Sequence, residues 1–442
     1  MTSVTTSILW FRRDLRLADH PALLAARDAA DEVVPVFVLD NALRGPSGPN
    51  RLAFLYRNLR DLQDRTGGAL RILRGRPETV LAGAAKGATS VHISSDHGPY
   101  GSARDRRVAA ALGEVPLVAT GSPYGVTPGR LTKADGTPYK VFTPYLRAWR
   151  SRRLHSPALT PRTIAWSDGG LRTTDVPHDP PTTATLPEPG EEAARARWRG
   201  FLEHVDDYAD TRNDPGADRT SRISPYLKYG LLHPRTLHAD LGTSNGATVF
   251  GQELIWRDFY ADVLHHNPVT ARQDLNVLDL DYDRAGRAFE AWKEGRTGYP
   301  IVDAGMRQLV AEGWVHNRVR MIVASFLTKD LHVYWTEGAR FFLHHLVDGD
   351  LASNNHGWQW VAGTGTDASP YFRVFNPVSQ GRRFDPDGAY VRHWVPELAH
   401  LPGGAVHEPW KHPLGYEGDY PRPIVEHDAE RLVALARYAA RH

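Results

Sequence analysis

Residues 7–39, SILWFRRDLRLADHPALLAARDAADEVVPVFVL, contain two apolar runs, at 7–11 and 33–39, separated by a stretch with helical spacing at 21–30. Strands that alternate with helices in this way favour a parallel, doubly wound sheet, which offers a ligand crevice at the carboxyl ends of its strands. No glycine-rich dinucleotide fingerprint follows the first run, so a nucleotide in that crevice is not indicated. The alternation continues, with strand candidates at 69–73, 90–94 and 115–118 and helix candidates at 51–66 and 103–112.

The rest of the chain changes character twice. Residues 155–190 are rich in Pro, Thr and Asp, which excludes a long helix or a central strand and predicts an extended connector on the surface. From about residue 191, apolar side chains recur near every 3.6 positions, which predicts an almost wholly helical region. Because 442 residues are too many for one ordinary core, we predict an α/β domain at 1–130, a long connector at 131–190 and an all-α domain at 191–442.

The composition excludes several classes of protein. The chain has no cysteine, which removes disulfides, thiolate metal sites and thiol nucleophiles, and we predict no metal site. It has no uncharged apolar run of about 18 residues, and its first residues, MTSVTTSILWFRRDLRL, lack a basic segment ahead of a long apolar stretch. We therefore expect a cytoplasmic protein without a membrane segment. The net charge is only +2, so any basic surface for nucleic acid must be local.

Carboxylates, amides and indoles crowd into residues 348–367, DGDLASNNHGWQWVAGTGTD. If this stretch is a helix, Asn354 and Trp358 share one face, and Asp348 and Asp350 precede it, where acids favour a helix N-terminus. A capped, aromatic-rich core helix explains each residue taken singly. The cluster as a whole needs polar partners if it is buried, and a flavin ring carries donors and acceptors of that kind.

A second cluster, RTSRISP at 219–225, brings hydroxyl groups to the start of a helix pattern. The hydroxyls belong to Thr220, Ser221 and Ser224. Hydroxyls and backbone N–H groups at a helix N-terminus suit a phosphate. An ordinary N-cap explains the same pattern.

Two helical stretches each carry a triplet at i, i+3 and i+4. In ELIWRDFY the triplet is Glu253, Trp256 and Arg257, and in WVHNRVRM it is Asn317, Arg320 and Met321. A surface ion pair beside a buried Trp and a helix with one polar face are the structural alternatives. Aromatic residues interleaved with arginine also suggest base stacking beside neutralised phosphates, although an exposed arginine is by default only solvated. The arginines concerned are Arg318, Arg373, Arg382 and Arg383.

These clusters, taken in order, resemble the photolyase/cryptochrome family, and most closely its class I cyclobutane pyrimidine dimer photolyases. The resemblance covers most of the chain and rests on five long motifs. They are WFRRDLRLADHPAL at 10–23, GYPIVDAGMRQL at 298–309, GWVHNRVRM at 313–321, DGDLASNNHGWQWVAGTGTDASPYFRVFNP at 348–377 and FNPVSQGRRFDPDGAYVRHWVPEL at 375–398.

The resemblance implies an antenna domain, a connector and a helical domain that binds FAD in a folded form. The residues implied for the phosphates and ribityl chain are Tyr208, Thr220, Ser221, Ile223 and Ser224. Those implied around the isoalloxazine are Arg257, Arg320, Asp348, Asp350 and Asn354, and Phe250 is a further cofactor residue.

The resemblance also implies a reaction: light-driven transfer of one electron from reduced FAD to a pyrimidine dimer that has left the DNA duplex. The residues implied to hydrogen-bond the dimer are Glu253 and Asn317, and those implied to stack on it or fill its pocket are Trp256, Trp360 and Met321. Trp358 and Trp335 match the inner and middle tryptophans of the family's photoreduction chain. Tyr282 stands where the family has its outer tryptophan, and tyrosine is a harder relay because its oxidation usually releases a proton.

The antenna region departs from the family at Gly98, where many relatives carry Glu. A pocket near Asp40, Arg51 and Asp96 could hold a deazaflavin, a folate or nothing, and we favour 8-hydroxy-5-deazaflavin over methenyltetrahydrofolate because a folate pocket usually uses that acid. The expected partner is damaged DNA, and the expected state is a monomer.

Two other functions remain open from the sequence. A (6-4) photolyase would carry histidine at 317 and 321, whereas this chain has Asn317 and Met321. Asn354 and the lack of a long tail favour repair, so a cryptochrome-type blue-light photoreceptor with bound FAD is the alternative within the family. A nucleic-acid-binding module with a purely structural flavin is the alternative from another class.

Overall fold

A computed structural model describes residues 4–367 and 373–440. Residues 368–372, the ASPYF part of one matching motif, lie outside the described residues. The chain divides into two compact units: the first comprises residues 4–182, 187–206 and 221–268, and the second comprises 183–186, 207–220 and the described residues from 269 to 440. Each unit is made of several separate ranges, whereas the predicted domains are continuous, with boundaries at 130 and 191. The predicted domain boundaries stay a prediction.

The first unit contains a five-stranded parallel sheet, as the alternating pattern predicted. Its strands are β1 (Thr6–Phe11), β2 (Glu32–Leu39), β3 (Arg71–Arg74), β4 (Val91–Ile93) and β5 (Leu117–Ala119), in the order β3-β2-β1-β4-β5. Every observed strand overlaps a predicted one within a few residues. The strand order reverses between β1 and β4, which is where a doubly wound sheet opens its ligand crevice.

Helices cover the apolar strands of this sheet. They are α1 (Pro21–Asp28), α2 (Asn41–Arg44), α3 (Pro49–Arg65), α4 (Pro77–Ala84) and α5 (Pro99–Ala111), followed by α6 (Phe142–Arg150). β1 and β2 are buried along almost their whole length, so they read as continuous apolar runs rather than as alternating ones. Ile8, Trp10 and Val36 form part of the core on one side of the sheet. The sequence pattern did not predict α2 or α4, nor α6 within the predicted connector 131–190.

The part of the connector after α6 has no helix or strand among the described residues, in agreement with its proline content. It hydrogen-bonds to the sheet at two points. Val33 pairs with Trp166 in an isolated bridge, and Ile72 of β3 bonds to Thr173 and Thr174 on the outer side of that strand. Pro35 lies two residues after Val33, so its missing N–H falls between the bridge and the start of β3 and interrupts no ladder.

The remaining elements are helical, as the 3.6-residue spacing predicted. In the first unit they are α7 (Glu191–Leu202), α9 (Ser224–Tyr229), α10 (Pro234–Asp240) and α11 (Asn245–His266). In the second unit they are α8 (Tyr208–Thr211), α12 (Arg287–Lys293), α13 (Pro300–Glu312), α14 (Asn317–Ser325), α15 (Trp335–His345), α16 (Leu351–Ala362), α17 (Pro377–Phe384), α18 (Ala389–Trp394) and α19 (His427–Ala439). A short π-helix, Phe326–Asp330, follows α14. The described residues of the second unit contain no strand, and their large core is built on Trp292, Trp335 and Phe342.

Candidate functional site

Two predicted antenna carboxylates lie at the carboxyl ends of strands in the first unit. Asp40 follows β2, caps α2 by accepting from the Ala42 N–H at 3.0 Å, and accepts a hydrogen bond from the Tyr100 hydroxyl. Burial, followed by the Asp40 carboxylate, raises the pKa of Tyr100 to about 12. Asp96 follows β4 and accepts from the Gly98 N–H at 3.1 Å. Both carboxylates therefore reach the first turn of α5, near the reversal of strand order.

Arginines surround the same strand ends. The guanidinium carbons of Arg12 and Arg104 lie 4.7 and 5.0 Å from the ring centroid of the buried Trp10. Burial raises the pKa of Asp96, but the cationic side chains of Arg104, Arg13 and Arg12 outweigh this effect and lower it. The third predicted antenna residue, Arg51, is placed by other contacts: its guanidinium donates to the Pro46 carbonyl at 3.2 Å, and its own carbonyl accepts from the Tyr229 hydroxyl.

The predicted triplet on α11 is half-buried at all three positions. Trp256 stacks on Phe142 of α6, with ring centroids 3.6 Å apart and planes inclined by 9°. Arg257 donates to the Pro123 carbonyl at 2.7 Å and to the Leu227 carbonyl at 3.3 Å, and it covers the ring of Tyr124. The third member, Glu253, lies one turn before Arg257 on the same helix. The sequence pattern did not reveal Phe142, which supports the Trp256 ring.

In the hydroxyl cluster at 219–225, residues 219 and 220 belong to the second unit and residues 221–225 belong to the first. Ser224 begins the six-residue helix α9, and the Ile223 N–H lies 3.5 Å from the Ser221 hydroxyl. Arg222 has a positive φ of 50°, which makes the approach to the helix a tight turn. Phe250, a predicted cofactor residue, is buried and packs on Phe201 and Trp198.

In the second unit, the carboxylate-rich stretch forms an ion pair and a helix cap. Arg320 of α14 donates from Nη2 to Oδ2 of Asp348 at 2.9 Å and from Nε to the Val315 carbonyl. Asp350 is the N-cap of α16, where its carboxylate accepts from the Ser353 N–H at 3.1 Å. Asn354 lies one turn further on, and its Nδ2 donates to the Ala339 carbonyl at 3.2 Å. The expectation of a capped helix preceded by acids is confirmed.

The remaining residues of the second-unit clusters differ in exposure. Asn317 is exposed at the first position of α14, and Met321 is half-buried one turn later. Trp360 is half-buried at the end of α16, whereas Trp358 is buried. The earlier short helix α8 begins at Tyr208, whose ring is buried beneath the guanidinium of Arg212. Thr220 is half-buried.

The family of the chain follows from comparison with known proteins. The family model described as DNA photolyase matches residues 7–162, and the model described as the FAD binding domain of DNA photolyase matches residues 250–440. The chain is 42% identical over 447 residues to the deoxyribodipyrimidine photo-lyase of Streptomyces griseus. The matched region covers 96% of this chain and 97% of the Streptomyces griseus protein. The chain belongs to the DNA photolyase family.

Solved structures of the photolyase family share the fold over the whole length. A class III photolyase from Agrobacterium tumefaciens is 36% identical, with a TM-score of 0.94, and covers 100% of this chain and 98% of that chain. A cryptochrome from Synechocystis sp. PCC6803 is 29% identical, with a TM-score of 0.90, and covers 99% and 100%. The predicted fold class is confirmed, and the resemblance to the family is confirmed.

The side chains of this photolyase-family chain fit FAD in their chemistry. An isoalloxazine ring carries both hydrogen-bond acceptors and an N–H group, so it needs donors and acceptors together. Arg320, Asp348 and Asn354 supply a guanidinium, a carboxylate and an amide from α14, from the turn before α16 and from α16 itself. The Arg320 side chain stays 26% exposed while paired to a carboxylate that is only 4% exposed. Among the described residues, no three His, Asp or Glu side chains are grouped to hold a metal ion.

The tryptophans matched to the family's photoreduction chain are both buried. Trp358 contacts Phe342 of α15, and the ring comes so close to Gly338 that a Cβ there would lie 2.2 Å from Trp358 Cη2. Trp335 begins α15, and its indole N–H donates to Asp274 Oδ1 at 2.6 Å. Tyr282 contacts Tyr334, not Trp335, in the ring contacts of the described residues. Sequence reasoning missed Asp274 and Tyr334.

The arginines proposed to contact the DNA backbone are in different environments. Arg318 donates to the Asn213 side chain at 2.8 Å and lies over the ring of Phe384, as does Arg383. Burial, followed by repulsion from Arg212 and Arg383, lowers the pKa of Arg318, so three cations lie near one another. The two other candidates differ from this group: Arg382 forms an ion pair with Glu408, and Arg373 is exposed.

Proposed function

We propose that this protein is a deoxyribodipyrimidine photo-lyase that repairs cyclobutane pyrimidine dimers in DNA by light-driven electron transfer from bound, reduced FAD to the dimer. The full-length match to named photo-lyases carries this proposal, because it includes both the sheet-containing region and the FAD-binding region. The test is repair of a dimer-containing oligonucleotide by the purified, reduced holoenzyme under blue light. Dimers that persist equally in the light and in a dark control would contradict it.

We assign the FAD-binding side chains as the family resemblance implies. Arg320, Asp348, Asp350 and Asn354 would hold the isoalloxazine, with Arg257 as a further contact. The Arg320–Asp348 pair supports this assignment, because it holds a partly exposed guanidinium rigidly beside the start of α16. That positive charge would favour an anionic reduced ring. The residues assigned to the phosphates, the ribityl chain and their surroundings are Tyr208, Thr220, Ser221, Ile223, Ser224 and Phe250.

Substrate recognition would use the other residues of the two triplets, together with Trp360. Glu253 and Asn317 would hydrogen-bond the pyrimidine edges and stabilise charge that develops on them. Trp256 and Trp360 would stack on the extruded bases, and Met321 would fill the space beside them. A dimer stacks poorly, so extruding it costs less than extruding a normal pair of bases. The stacking of Trp256 on Phe142 supports its role, because a held ring loses little freedom when a base binds.

Binding to undamaged flanking DNA would depend on phosphate neutralisation. Arg318 and Arg383 are the better supported contacts, since each lies over Phe384 in a cluster of cations. Arg373 is exposed and can also reach a phosphate. Arg382 is already paired to Glu408, so we assign it a smaller share.

The path for photoreduction of oxidised FAD would run through Trp358 and Trp335 towards Tyr282. Both tryptophans are buried, and α15 and α16, which carry them, pack against each other. Flash excitation of the oxidised holoenzyme should therefore produce a tryptophan radical. Its loss in a Trp358→Phe variant that still binds FAD tests the first step.

For the antenna we propose 8-hydroxy-5-deazaflavin near Asp40, Arg51 and Asp96, in preference to methenyltetrahydrofolate. Gly98 stands where many relatives carry the Glu that a folate pocket usually uses, so this chain lacks that acid. Reconstitution with each chromophore, followed by the excitation spectrum of flavin emission, distinguishes the two. Sensitisation by the folate alone would contradict the proposal.

A cryptochrome-type blue-light photoreceptor with FAD is the second candidate. The likeness to the Synechocystis sp. PCC6803 cryptochrome supports it. The repair assay under blue light decides between the two candidates. We further propose that the protein acts as a monomer in the cytoplasm, and light scattering tests the monomer. Among the described residues, we find no helix with the length and the hydropathy of a membrane span.

A further inference from the structure

We propose that Tyr334, with Asp274 as its proton acceptor, is the residue that reduces oxidised Trp335 at the end of the photoreduction path. This inference rests on the proposed path through Trp358 and Trp335. In this proposal Tyr334, which directly precedes Trp335 in the sequence, takes the outer position of the path. Alignment with the family puts Tyr282 in that position.

The geometry around Trp335 joins three groups that such a step requires. The indole N–H of Trp335 donates to Asp274 Oδ1 at 2.6 Å. The ring of Tyr334 lies 5.8 Å from the Trp335 ring, centroid to centroid. Burial, followed by the nearby Asp274 carboxylate, raises the pKa of Tyr334 to about 12. One carboxylate thus lies beside both the electron acceptor and the electron donor.

Solvent exposure increases from Trp335 to Tyr334, as a path that carries oxidation towards the surface requires. Trp335 is fully buried, whereas Tyr334 is half-buried at the N-cap of α15. An external donor can therefore reach Tyr334 without opening the core. The buried indole would otherwise keep its oxidised charge until it recombined.

Tyr282 lacks the feature that makes a phenol easy to oxidise. A phenol that loses an electron becomes strongly acidic, so its oxidation is favourable only where a base accepts the proton. The Tyr282 hydroxyl is buried and has no hydrogen-bond partner among the described residues. Its ring centroid lies 4.9 Å from that of Tyr334, so Tyr282 is behind Tyr334 and not beside Trp335 in this chain of ring contacts. Burial, followed by the Asp274 carboxylate, raises the pKa of both Tyr282 and Tyr334, so the ring contact with Trp335 is what separates the two phenols.

Trp335 would lose one electron through Trp358, with bound, oxidised FAD as the oxidant under light. Tyr334 then gives one electron to the Trp335 radical cation, and the phenolic proton moves from Tyr334 Oη to Asp274. Trp335 returns to neutral indole, and a neutral tyrosyl radical and a protonated carboxyl group remain. An external thiol supplies the electron that restores Tyr334, and Asp274 returns the proton.

The experiment is flash excitation of the oxidised holoenzyme, with transient absorption and electron paramagnetic resonance to separate tryptophan from neutral tyrosyl radicals. We compare the wild type with Tyr334→Phe, Tyr282→Phe and Asp274→Asn. The Asn side chain can still accept from the Trp335 indole, but it cannot take a proton at neutral pH. The flavin absorption spectrum of each variant reports that it is folded and loaded.

We expect the tyrosyl signal to disappear in Tyr334→Phe and to persist in Tyr282→Phe. In Asp274→Asn it should form about 10²-fold more slowly, because a positioned proton acceptor is worth roughly that factor. In the wild type, its formation should slow in D2O. A signal that persists in Tyr334→Phe, that disappears instead in Tyr282→Phe, or that is unchanged in Asp274→Asn overturns the inference. If Tyr334→Phe does not bind FAD, the other two variants still decide.

A parallel assay separates this inference from the proposed function. The wild-type protein, reduced chemically beforehand, is tested for dimer repair in blue light. Repair without the expected pattern of radicals rejects only the Tyr334 relay. Failure of repair rejects the proposed function, whatever radicals form.

Discussion

Arg320 donates to Asp348 at 2.9 Å, and the carboxylate of this pair is almost completely buried while the guanidinium is partly exposed. A buried carboxylate is costly when the cation beside it is removed. We therefore expect Arg320→Met to lower the free energy of unfolding by about 3 kcal/mol in the FAD-free protein. Denaturant titration measures this change.

The matched control for that variant is Arg340→Met, which removes an exposed arginine paired with Glu337 on α15. An exposed pair is worth about 0–1 kcal/mol, so the control should be nearly silent. Equal losses in the two variants would mean that the Arg320–Asp348 pair contributes no more than a surface pair.

Two helical glycines offer a test of how tightly Trp358 is packed. A Cβ at Gly338 would lie 2.2 Å from Trp358 Cη2 and 2.5 Å from Leu327 Cδ2, whereas a Cβ at Gly357 would meet nothing within 4 Å. Gly338→Ala should cost about 1–3 kcal/mol of stability through overpacking. Gly357→Ala should gain about 0.5–1 kcal/mol, because Ala is the better helix former. Thermal and denaturant unfolding measure both, and a stabilising Gly338→Ala would refute the close approach.

The stacked pair of Phe142 and Trp256 predicts an effect on lesion binding. Phe142→Leu keeps an apolar side chain but removes the stacked ring, which is worth about 0.5–1.5 kcal/mol. If Trp256 is a platform for the dimer, the Kd for dimer-containing DNA should rise by up to about tenfold. Binding of undamaged DNA should be unchanged in fluorescence anisotropy.

Phe289→Leu provides the control, because Phe289 is also buried and stacked on a tryptophan, Trp292. It should leave lesion binding as in the wild type. A similar loss in both variants would point to general loosening instead of a held platform.

Neighbouring arginines on α17 predict different salt dependence. Arg383→Gln should weaken DNA binding at every sequence and reduce the slope of log K against log salt by about 0.9, the value for one phosphate contact. Arg382→Gln should change the slope less, because Glu408 already neutralises Arg382. Binding titrations at several salt concentrations test the pair. A larger effect at Arg382 would reverse the assignment.

Lys329 predicts a pH dependence of stability. It lies in the π-helix, is buried, and donates to the Ala362 carbonyl at 2.7 Å. Burial lowers its pKa from 10.5 to about 7, so the amine is harder to protonate in the folded protein than in the unfolded chain. This penalty is fully present below pH 7 and disappears as the pH rises towards the ordinary lysine value. At about 1.4 kcal/mol per pKa unit, the fall from 10.5 to about 7 amounts to at most about 5 kcal/mol.

The measurement is the free energy of unfolding between pH 7 and the ordinary lysine pKa. Lys329→Met should remove the part of the rise with pH that the wild type owes to this amine. Lys293→Met, which changes a lysine paired with Glu290 near the surface, should keep the wild-type slope. Parallel curves for the wild type and Lys329→Met would contradict the prediction.

Local patterns in the sequence predicted the elements that depend on neighbours in the chain. The five strands followed from apolar runs, and Asp350 followed from the preference for acids ahead of a helix. Two short helices were not predicted. Helix α2 has four residues, and α4 has eight with a glycine among them, so neither shows a clear 3.6-residue period. Helix α6 was not predicted because it lies within the stretch that was predicted to be a connector.

Contacts between distant residues could not be predicted in the same way. The Trp335–Asp274 hydrogen bond joins residues 61 positions apart, and no periodicity connects them. The Phe142–Trp256 stack likewise depends on how α6 packs against α11. Alignment with the family pointed to Tyr282, but it could not distinguish a phenol with a proton acceptor from one without.

The bonds from Thr173 and Thr174 to Ile72 have a consequence for solubility. β3 is the outermost strand on its side of the sheet, and these bonds occupy main-chain groups that would otherwise be open to pairing with another polypeptide. The connector segment that contains Thr173 and Thr174 therefore does more than join two regions of the chain: it covers the edge of β3 and hinders the addition of a strand from another molecule. A Gly/Ser replacement of equal length would still join the flanking regions, yet it would leave the molecule prone to aggregate.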